Sequence, residues 1–338
     1  MKYVEVGGAR MSAVGLGTWQ FGSTEWGYGA EYSDKEAGAI VRRALEVGIT
    51  LFDTAEIYGM GRSERILGRA LQGRRDGAFL ATKILPVLPL GPVVLRRARG
   101  SARRLGVDRL DLYQLHQPNP LVPLSSTMPA FAQLMDEGLV RHAGVSNYSL
   151  DRWQAAEQAL GRPVLSNQVR FSLVDRRPER VLLPWAQAHD RLIIAYSPIA
   201  QGLLSGRYGA DTRPVGIVRS GSPAFHPENL RRIEPLVGVL RDVAGAHGVT
   251  PAQVALAWLI RRPNVVVIPG ASSVAQVEAN AAAADIELTD GEDQALVAAA
   301  DAFRPVAVTE VLPDLIRARL SSWSGRLAGR ARSPGHRS

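Results

Sequence analysis

Four residues of this 338-residue chain form a set able to move a proton together: Asp53, Tyr58, Lys83 and His116. Three of them close a short apolar run. Asp53 follows Thr50-Leu51-Phe52, Lys83 follows Phe79-Leu80-Ala81-Thr82, and His116 follows Leu112-Tyr113-Gln114-Leu115. Tyr58 comes five residues after Asp53, in the loop just above that run. A free phenol titrates near about 10, too high for easy exchange at neutral pH. An ammonium beside it favours the phenolate and is expected to lower that value. Asp53 would hold Lys83 charged and oriented, and His116 would donate a hydrogen bond to a substrate oxygen. The set suits proton delivery to a carbonyl oxygen on which negative charge develops. An Asp–Lys pair alone equally suits a structural ion pair, and a lone His at a strand end is more often structural. Four such groups at or just above successive run ends point to chemistry.

The elements that must position them repeat at intervals of about thirty residues. Apolar runs span Ile49–Phe52, Ala78–Thr82, Leu110–Leu115, Val140–Val145, Val164–Val169, Leu192–Tyr196 and Val265–Ile268, with Ser12–Leu16 as an earlier first. Helical patterns lie between them, including Glu64–Leu71, Pro92–Leu105, Thr127–Glu137 and Leu150–Leu160. Buried strands alternating with helices predict a parallel sheet, and eight such units close a (β/α)₈ TIM barrel. Other runs also end in polar groups: Ser146 and Asn147, Gln168, then Tyr196 and Ser197. In a parallel barrel these ends converge on one rim, where barrel enzymes do their chemistry. Ser33/Glu36, Thr250/Gln253 and Thr289/Glu292 read as capping boxes, and Pro251 suits a first helical turn. Met1–Met11, with Gly7-Gly8 at its centre, reads as an N-terminal β-hairpin able to plug the barrel floor. Residues 1–310 are expected to form one barrel domain, and 311–338 a basic C-terminal helical tail. Thr212–Asn229, rich in Gly, Pro and Ser, reads as a long loop, mobile or functional.

Composition narrows the function further. The formal charge is +8, but residues 311–338 hold six arginines against Asp314 alone and carry most of it. The basic balance therefore describes a tail, and neither zinc-finger spacing nor an aromatic-studded basic strand supports nucleic-acid binding. There is no cysteine, so disulfides, thiolate metal sites and cysteine nucleophiles are out, and no metal site is expected. No apolar run is long enough for a membrane span, and Met1–Glu5 begins no apolar leader, so a cytoplasmic protein is expected.

The ordered motifs Gly15-Leu-Gly-Thr-Trp19, Asp53-Thr-Ala-Glu-Ile-Tyr58, Ser63-Glu-Arg-Ile-Leu-Gly68, Thr82-Lys83, Leu115-His116, Gly144-Val-Ser-Asn147, Asn167-Gln168, Tyr196–Gly206 and Ile268-Pro-Gly-Ala271 resemble the aldo-keto reductase superfamily. The Tyr196–Gly206 segment is most similar to its bacterial and potassium-channel-β-like branches. The resemblance implies an oxidoreductase transferring hydride between NADP(H) and an aldehyde or ketone, with Asp53, Tyr58, Lys83 and His116 as catalytic tetrad. It places Ser146, Asn147 and Gln168 on the nicotinamide carboxamide and Tyr196 against the nicotinamide ring. Ser197, Gln201, Gly202 and Leu203 fall at the pyrophosphate, and Gly270, Ser272, Ser273, Gln276 and Asn280 around the adenosine half. Residues 270–276 contain no Lys or Arg for a 2′-phosphate, which leaves NAD(H) open beside NADP(H). Trp19 and Trp26 would wall the carbonyl substrate, with Phe21 and Tyr28 as further candidates. Two other readings remain: a cofactor-sensing binding protein like channel β subunits, and a Schiff-base lyase using Lys83. Oligomeric state is not legible.

Overall fold

The computed structural model describes residues 1–24, 28–29, 33–214, 219 and 222–306. The tail 311–338 and Trp26 therefore lie outside the described residues, as does part of 212–229. The chain opens with an antiparallel hairpin, β1 (Tyr3–Val6) and β2 (Ala9–Ser12), as expected. Its turn is possible because Gly7 and Gly8 both adopt positive φ, 54° and 73°.

Eight parallel strands follow: β3 (Leu16–Gly17), β4 (Leu51–Asp53), β5 (Phe79–Ile84), β6 (Leu110–Leu115), β7 (Val140–Ser146), β8 (Val164–Arg170), β9 (Leu192–Tyr196) and β10 (Val265–Val267). They pair in sequence order. The first and last are joined by parallel bridges Val14–Val267 and Gly17–Gly270, so the sheet closes on itself. The (β/α)₈ barrel is thus present, with one difference at its start. Ser12 ends the hairpin, and only Leu16–Gly17 joins the sheet as a strand. The intervening chain lies so close to β4 that a side chain at Gly15 would meet the Leu51 carbonyl oxygen at 2.9 Å.

The helices are α1 (Asp34–Glu46), α2 (Arg62–Ala70), α3 (Gly91–Leu105), α4 (Leu124–Asp136), α5 (Leu150–Leu160), α6 (Leu182–Ala188), α7 (Pro227–His247), α8 (Pro251–Ile260), α9 (Val274–Ala282) and α10 (Asp290–Ala302). All three capping boxes form, at α1, α8 and α10. The stretch 212–229 is not all loop. A single 3₁₀ turn at Pro223–Phe225 leads into α7. Asn229 is buried there, donating to the Pro223 carbonyl at 2.7 Å and accepting from the Val306 N–H at 2.7 Å.

Side chains alternate across the strands, as a period of two requires. Leu51, Phe79, Ala81, Leu112, Leu192, Ile194 and Val266 fill the barrel interior together with Val6, Ala9 and Met11 of the hairpin. Their neighbours Phe52, Leu80, Tyr113, Ile193, Val265 and Val267 face the helix layer. The hairpin therefore does plug the floor. One hydroxyl fastens it: Ser12 Oγ accepts from the N–H groups of Thr50 (2.9 Å) and Leu51 (3.2 Å) and donates to the Val14 carbonyl at 2.7 Å. Ser12→Ala leaves those amides without that acceptor and is expected to lower stability by about 2 kcal/mol. A denaturant titration checks this; a loss under about 0.5 kcal/mol would mean that the Ser12 hydroxyl is not what fastens the hairpin.

Candidate active site

The alternation that fills the interior also builds its rim. Two residues beyond Leu51 on the same face is Asp53; two beyond Ala81 is Lys83; two beyond Ile194 is Tyr196. Lys83 is fully buried and Asp53 nearly so, and Lys83 Nζ donates to Asp53 Oδ1 at 2.5 Å. The ammonium also donates to the Thr54 carbonyl at 2.8 Å and lies 3.4 Å from the Tyr58 hydroxyl. Tyr58 stands at the head of a turn through Gly59, Met60 and Gly61, whose φ values of 52°, 55° and 79° are all positive. Such a backbone costs conformational energy and is found where a side chain must be aimed. The Tyr58 ring meets His116 edge-on at 5.7 Å and Trp19 at 6.4 Å between centroids. All four proton-moving candidates thus gather around one phenol.

The electrostatics differ from expectation in one respect. Burial pushes the Tyr58 phenol up and outweighs the pull of Lys83, so its pKa is raised, not lowered. Burial pushes Lys83 down, but Asp53 and Tyr58 more than offset it, and the ammonium is favoured. His116 is lowered to about 3, first by burial and then by the Lys83 charge. The imidazole is therefore neutral at physiological pH. Its Nδ1 is buried with no hydrogen-bond partner among the described residues. The site at rest holds a protonated phenol, an ammonium, a carboxylate and a neutral imidazole.

Four further predicted residues join through a chain of hydrogen bonds. Gln168 Nε2 donates to the second carboxylate oxygen of Asp53 at 2.7 Å. Only the amide nitrogen can donate to a carboxylate, so Gln168 keeps its oxygen for another partner. Ser146 Oγ donates to the Gln168 carbonyl at 2.9 Å, and Asn147 Nδ2 donates to Ser146 Oγ at 3.0 Å. The Tyr196 hydroxyl donates to Asn147 Oδ1 at 3.0 Å. Asn147 itself is left-handed, φ 61°. Beyond Tyr196 the backbone turns left-handed at Ser197, Ala200, Gln201 and Gly202, with Leu203 buried below. Non-glycine residues in that region are uncommon, and a run of them marks a loop shaped for something other than its own comfort.

The third group sits at the start of α9. Ser273 caps the helix by accepting from the Gln276 N–H, Gln276 Oε1 accepts from the Ser272 N–H at 2.8 Å, and Asn280 donates to the Gly270 carbonyl at 3.4 Å. Gly270 is bridged to Gly17 in the barrel seam. Sequence reasoning missed two groups here: the Thr54 carbonyl as a ligand of Lys83, and Gln20, which donates to the Ala271 carbonyl at 2.8 Å across the seam. A backbone carbonyl carries no residue-type signal. Gln20 lies next to Trp19, and only its position in that motif could have flagged it. Trp19 is 45% exposed at the mouth, whereas Phe21 and Tyr28 are buried and belong to the core.

Residues 13–301 match the model of the Aldo/keto reductase family. The chain is 56% identical over 322 residues to the uncharacterized oxidoreductase Rv2298 of Mycobacterium tuberculosis, covering 95% of this chain and 99% of that protein. It is 35% identical over 287 residues to the methylglyoxal reductase YeaE of Escherichia coli, covering 85% and 90%. A crystal structure of an aldo/keto reductase from Klebsiella pneumoniae in complex with NADP and acetate superposes with a TM-score of 0.72 at 34% identity, covering 90% of this chain and 96% of that one.

The buried imidazoles link the site to acid stability. His116 falls from 6.5 to about 3 on folding, and His142 from 6.5 to about 4. Below 6.5 the unfolded chain binds protons that the folded barrel refuses, so stability falls as pH drops through that window. His116→Asn is expected to flatten the slope. Denaturant titrations across the window check it, and an unchanged slope would show that the folded site accepts the charge.

Proposed function

The chain belongs to the aldo/keto reductase family, and we propose that it is an NADP(H)-dependent reductase of aldehydes or ketones in which Tyr58 is the proton donor. The observation that carries this reading is the Tyr58 hydroxyl 3.4 Å from a Lys83 ammonium that is itself held by Asp53. When bound, the reduced nicotinamide supplies the hydride that adds to the carbonyl carbon. The residues of the chain deliver the proton to the oxygen. Tyr58, its pKa raised by burial, is fully protonated at neutral pH and gives up its proton as negative charge grows on the substrate oxygen. Lys83 stabilises the phenolate this leaves, and neutral His116 donates an N–H to the same oxygen. Gln168 and Thr54 keep Asp53 and Lys83 from rearranging during that transfer.

The donor set fits a nicotinamide dinucleotide. The Gln168 oxygen and the Asn147–Ser146 pair suit a carboxamide, and Tyr196 offers a ring beside them. The left-handed loop through Ser197, Gln201, Gly202 and Leu203, and the start of α9 at Gly270, Ser272, Ser273, Gln276 and Asn280, suit the anionic remainder. NADP in the Klebsiella neighbour supports the phosphorylated cofactor. The lack of a cation at 270–276 predicts a weaker discrimination against NAD(H). Trp19, Ile57, Met60 and Leu121 expose apolar side chains on segments that follow β3, β4 and β6, which supports a carbonyl carrying an apolar group. The methylglyoxal reductase relative supports small aldehydes as well. Lys83, charged and bound by Asp53 and a carbonyl, is a poor nucleophile, which disfavours Schiff-base chemistry.

The test is a nicotinamide absorbance assay with NADPH and NADH against methylglyoxal, aromatic and aliphatic aldehydes, ketones and sugars. Tyr58→Phe is expected to bind NADPH normally and to lose about 10²–10⁴ in turnover. Reduction by that variant at the native rate would remove Tyr58 from the reaction. No oxidation of either cofactor with any carbonyl would overturn the reading.

A further inference from the structure

The motif Ser63–Gly68 has no part in the reaction just derived, yet its first two side chains are completely buried and polar. Glu64 Oε1 accepts from the Thr82 hydroxyl at 2.7 Å, and Glu64 Oε2 accepts from Arg104 Nε at 2.5 Å. Arg104, on α3, is braced by Ser101 Oγ at 3.0 Å. Ser63 Oγ lies 2.8 Å from Thr18 Oγ1 and 3.0 Å from Thr54 Oγ1. The partners matter because of what stands next to them. Thr54 follows Asp53, and Thr82 precedes Lys83 on β5 with its side chain on the opposite, outer face. The cluster thus grips from outside the same strands whose inner faces carry the ion pair.

It also holds the start of α2, and Tyr58 hangs from that start through the turn of three left-handed residues. The helix packs closely on α3: a Cβ on Gly68 would run into the Leu105 carbonyl oxygen, and one on Gly61 would meet Arg104 Cδ at 2.8 Å. A buried ion pair is weak evidence for stability, since apolar replacements of similar volume are often as stable. What Glu64 adds is direction: two fixed acceptors aimed at β5 and α3.

We propose that Glu64 is a positioning residue, which by binding Thr82 and Arg104 together sets the separation between the Tyr58 hydroxyl and the Lys83 ammonium. The inference rests on the reductase reading for its kinetic consequence, though not for its geometric one. The variants are Glu64→Gln, Thr82→Val and, as the conservative partner, Thr82→Ser. Two measurements are made on each: steady-state reduction with NADPH, and ionisation of Tyr58, read as the phenolate absorbance lost in the corresponding Tyr58→Phe double variant.

Glu64→Gln and Thr82→Val are expected to lower kcat about tenfold or more while the Kd for NADPH stays within about twofold, because misplacing the donor spares cofactor binding. Tyr58 should ionise at higher pH in both, as the ammonium draws away from it. Thr82→Ser should restore kcat and the ionisation to near native values. Native kcat and native Tyr58 ionisation in Thr82→Val would overturn the proposal, and that variant decides if Glu64→Gln does not fold. A native protein that reduces no carbonyl, while the Tyr58 shift appears in the variants, would overturn the reductase reading and leave the positioning role standing.

Discussion

The ion pair between Lys83 and Asp53 is the constraint around which the upper half of the barrel is arranged. Both side chains are withdrawn from water, at a cost of several kcal/mol per ion even after relaxation. Such a pair persists only if its remaining hydrogen-bonding capacity is met. Lys83 has the Thr54 carbonyl and the Tyr58 oxygen; Asp53 has the Gln168 amide on its second oxygen. Removing any of these leaves a charge partly unsolvated, so the rim is a coupled set and not a row of independent residues.

The lower half of the barrel makes that arrangement possible. Below Asp53 and Lys83 the interior is filled mainly by apolar side chains from the strands and from the hairpin, with the buried pair Ser166–Gln114 among them. This largely apolar filling lowers the local dielectric beneath the ion pair and strengthens the interactions above it. The hairpin is held by polar contacts at its edges: the Ser12 hydroxyl to β4, the Gly7 N–H to Asp190, and the amino terminus to Asp285. Polar fastening outside and apolar filling inside are the division of labour expected of a plug.

Within the rim, burial acts on Tyr58 and His116 in the direction that suits the proposed reduction. It keeps the Tyr58 proton on the phenol and keeps His116 neutral, while Lys83 keeps its charge because Asp53 and Tyr58 together outweigh burial. A phenol lowered by the ammonium in the resting site would be ready to accept a proton. One raised by burial keeps its proton in the resting site, the state that the proposed donor role requires. This is why the expectation of a lowered value failed: the sequence displays the neighbouring charge but not the volume of protein that excludes solvent.

Much of this protein was legible in one dimension. Runs of apolar residues at regular intervals determined the barrel, the capping boxes located three helix starts within a residue, and Gly7-Gly8 located the hairpin turn, because these features depend on neighbours along the chain. The placement of Asp53 and Lys83 at the rim was legible because period-two alternation carries the interior face of a strand directly to its end. The tertiary structure alone decided the contacts between residues far apart in sequence. It put Gln168 on Asp53, 115 positions away, Glu64 on Thr82 and Arg104, and Val14 and Gly17 beside the last strand. It also decided that Ser12 fastens the hairpin instead of opening the barrel. Hydrogen-bond partners across a closed sheet depend on register, curvature and rotamer, which no local pattern encodes, and the pKa of every group at the rim depends on them in turn.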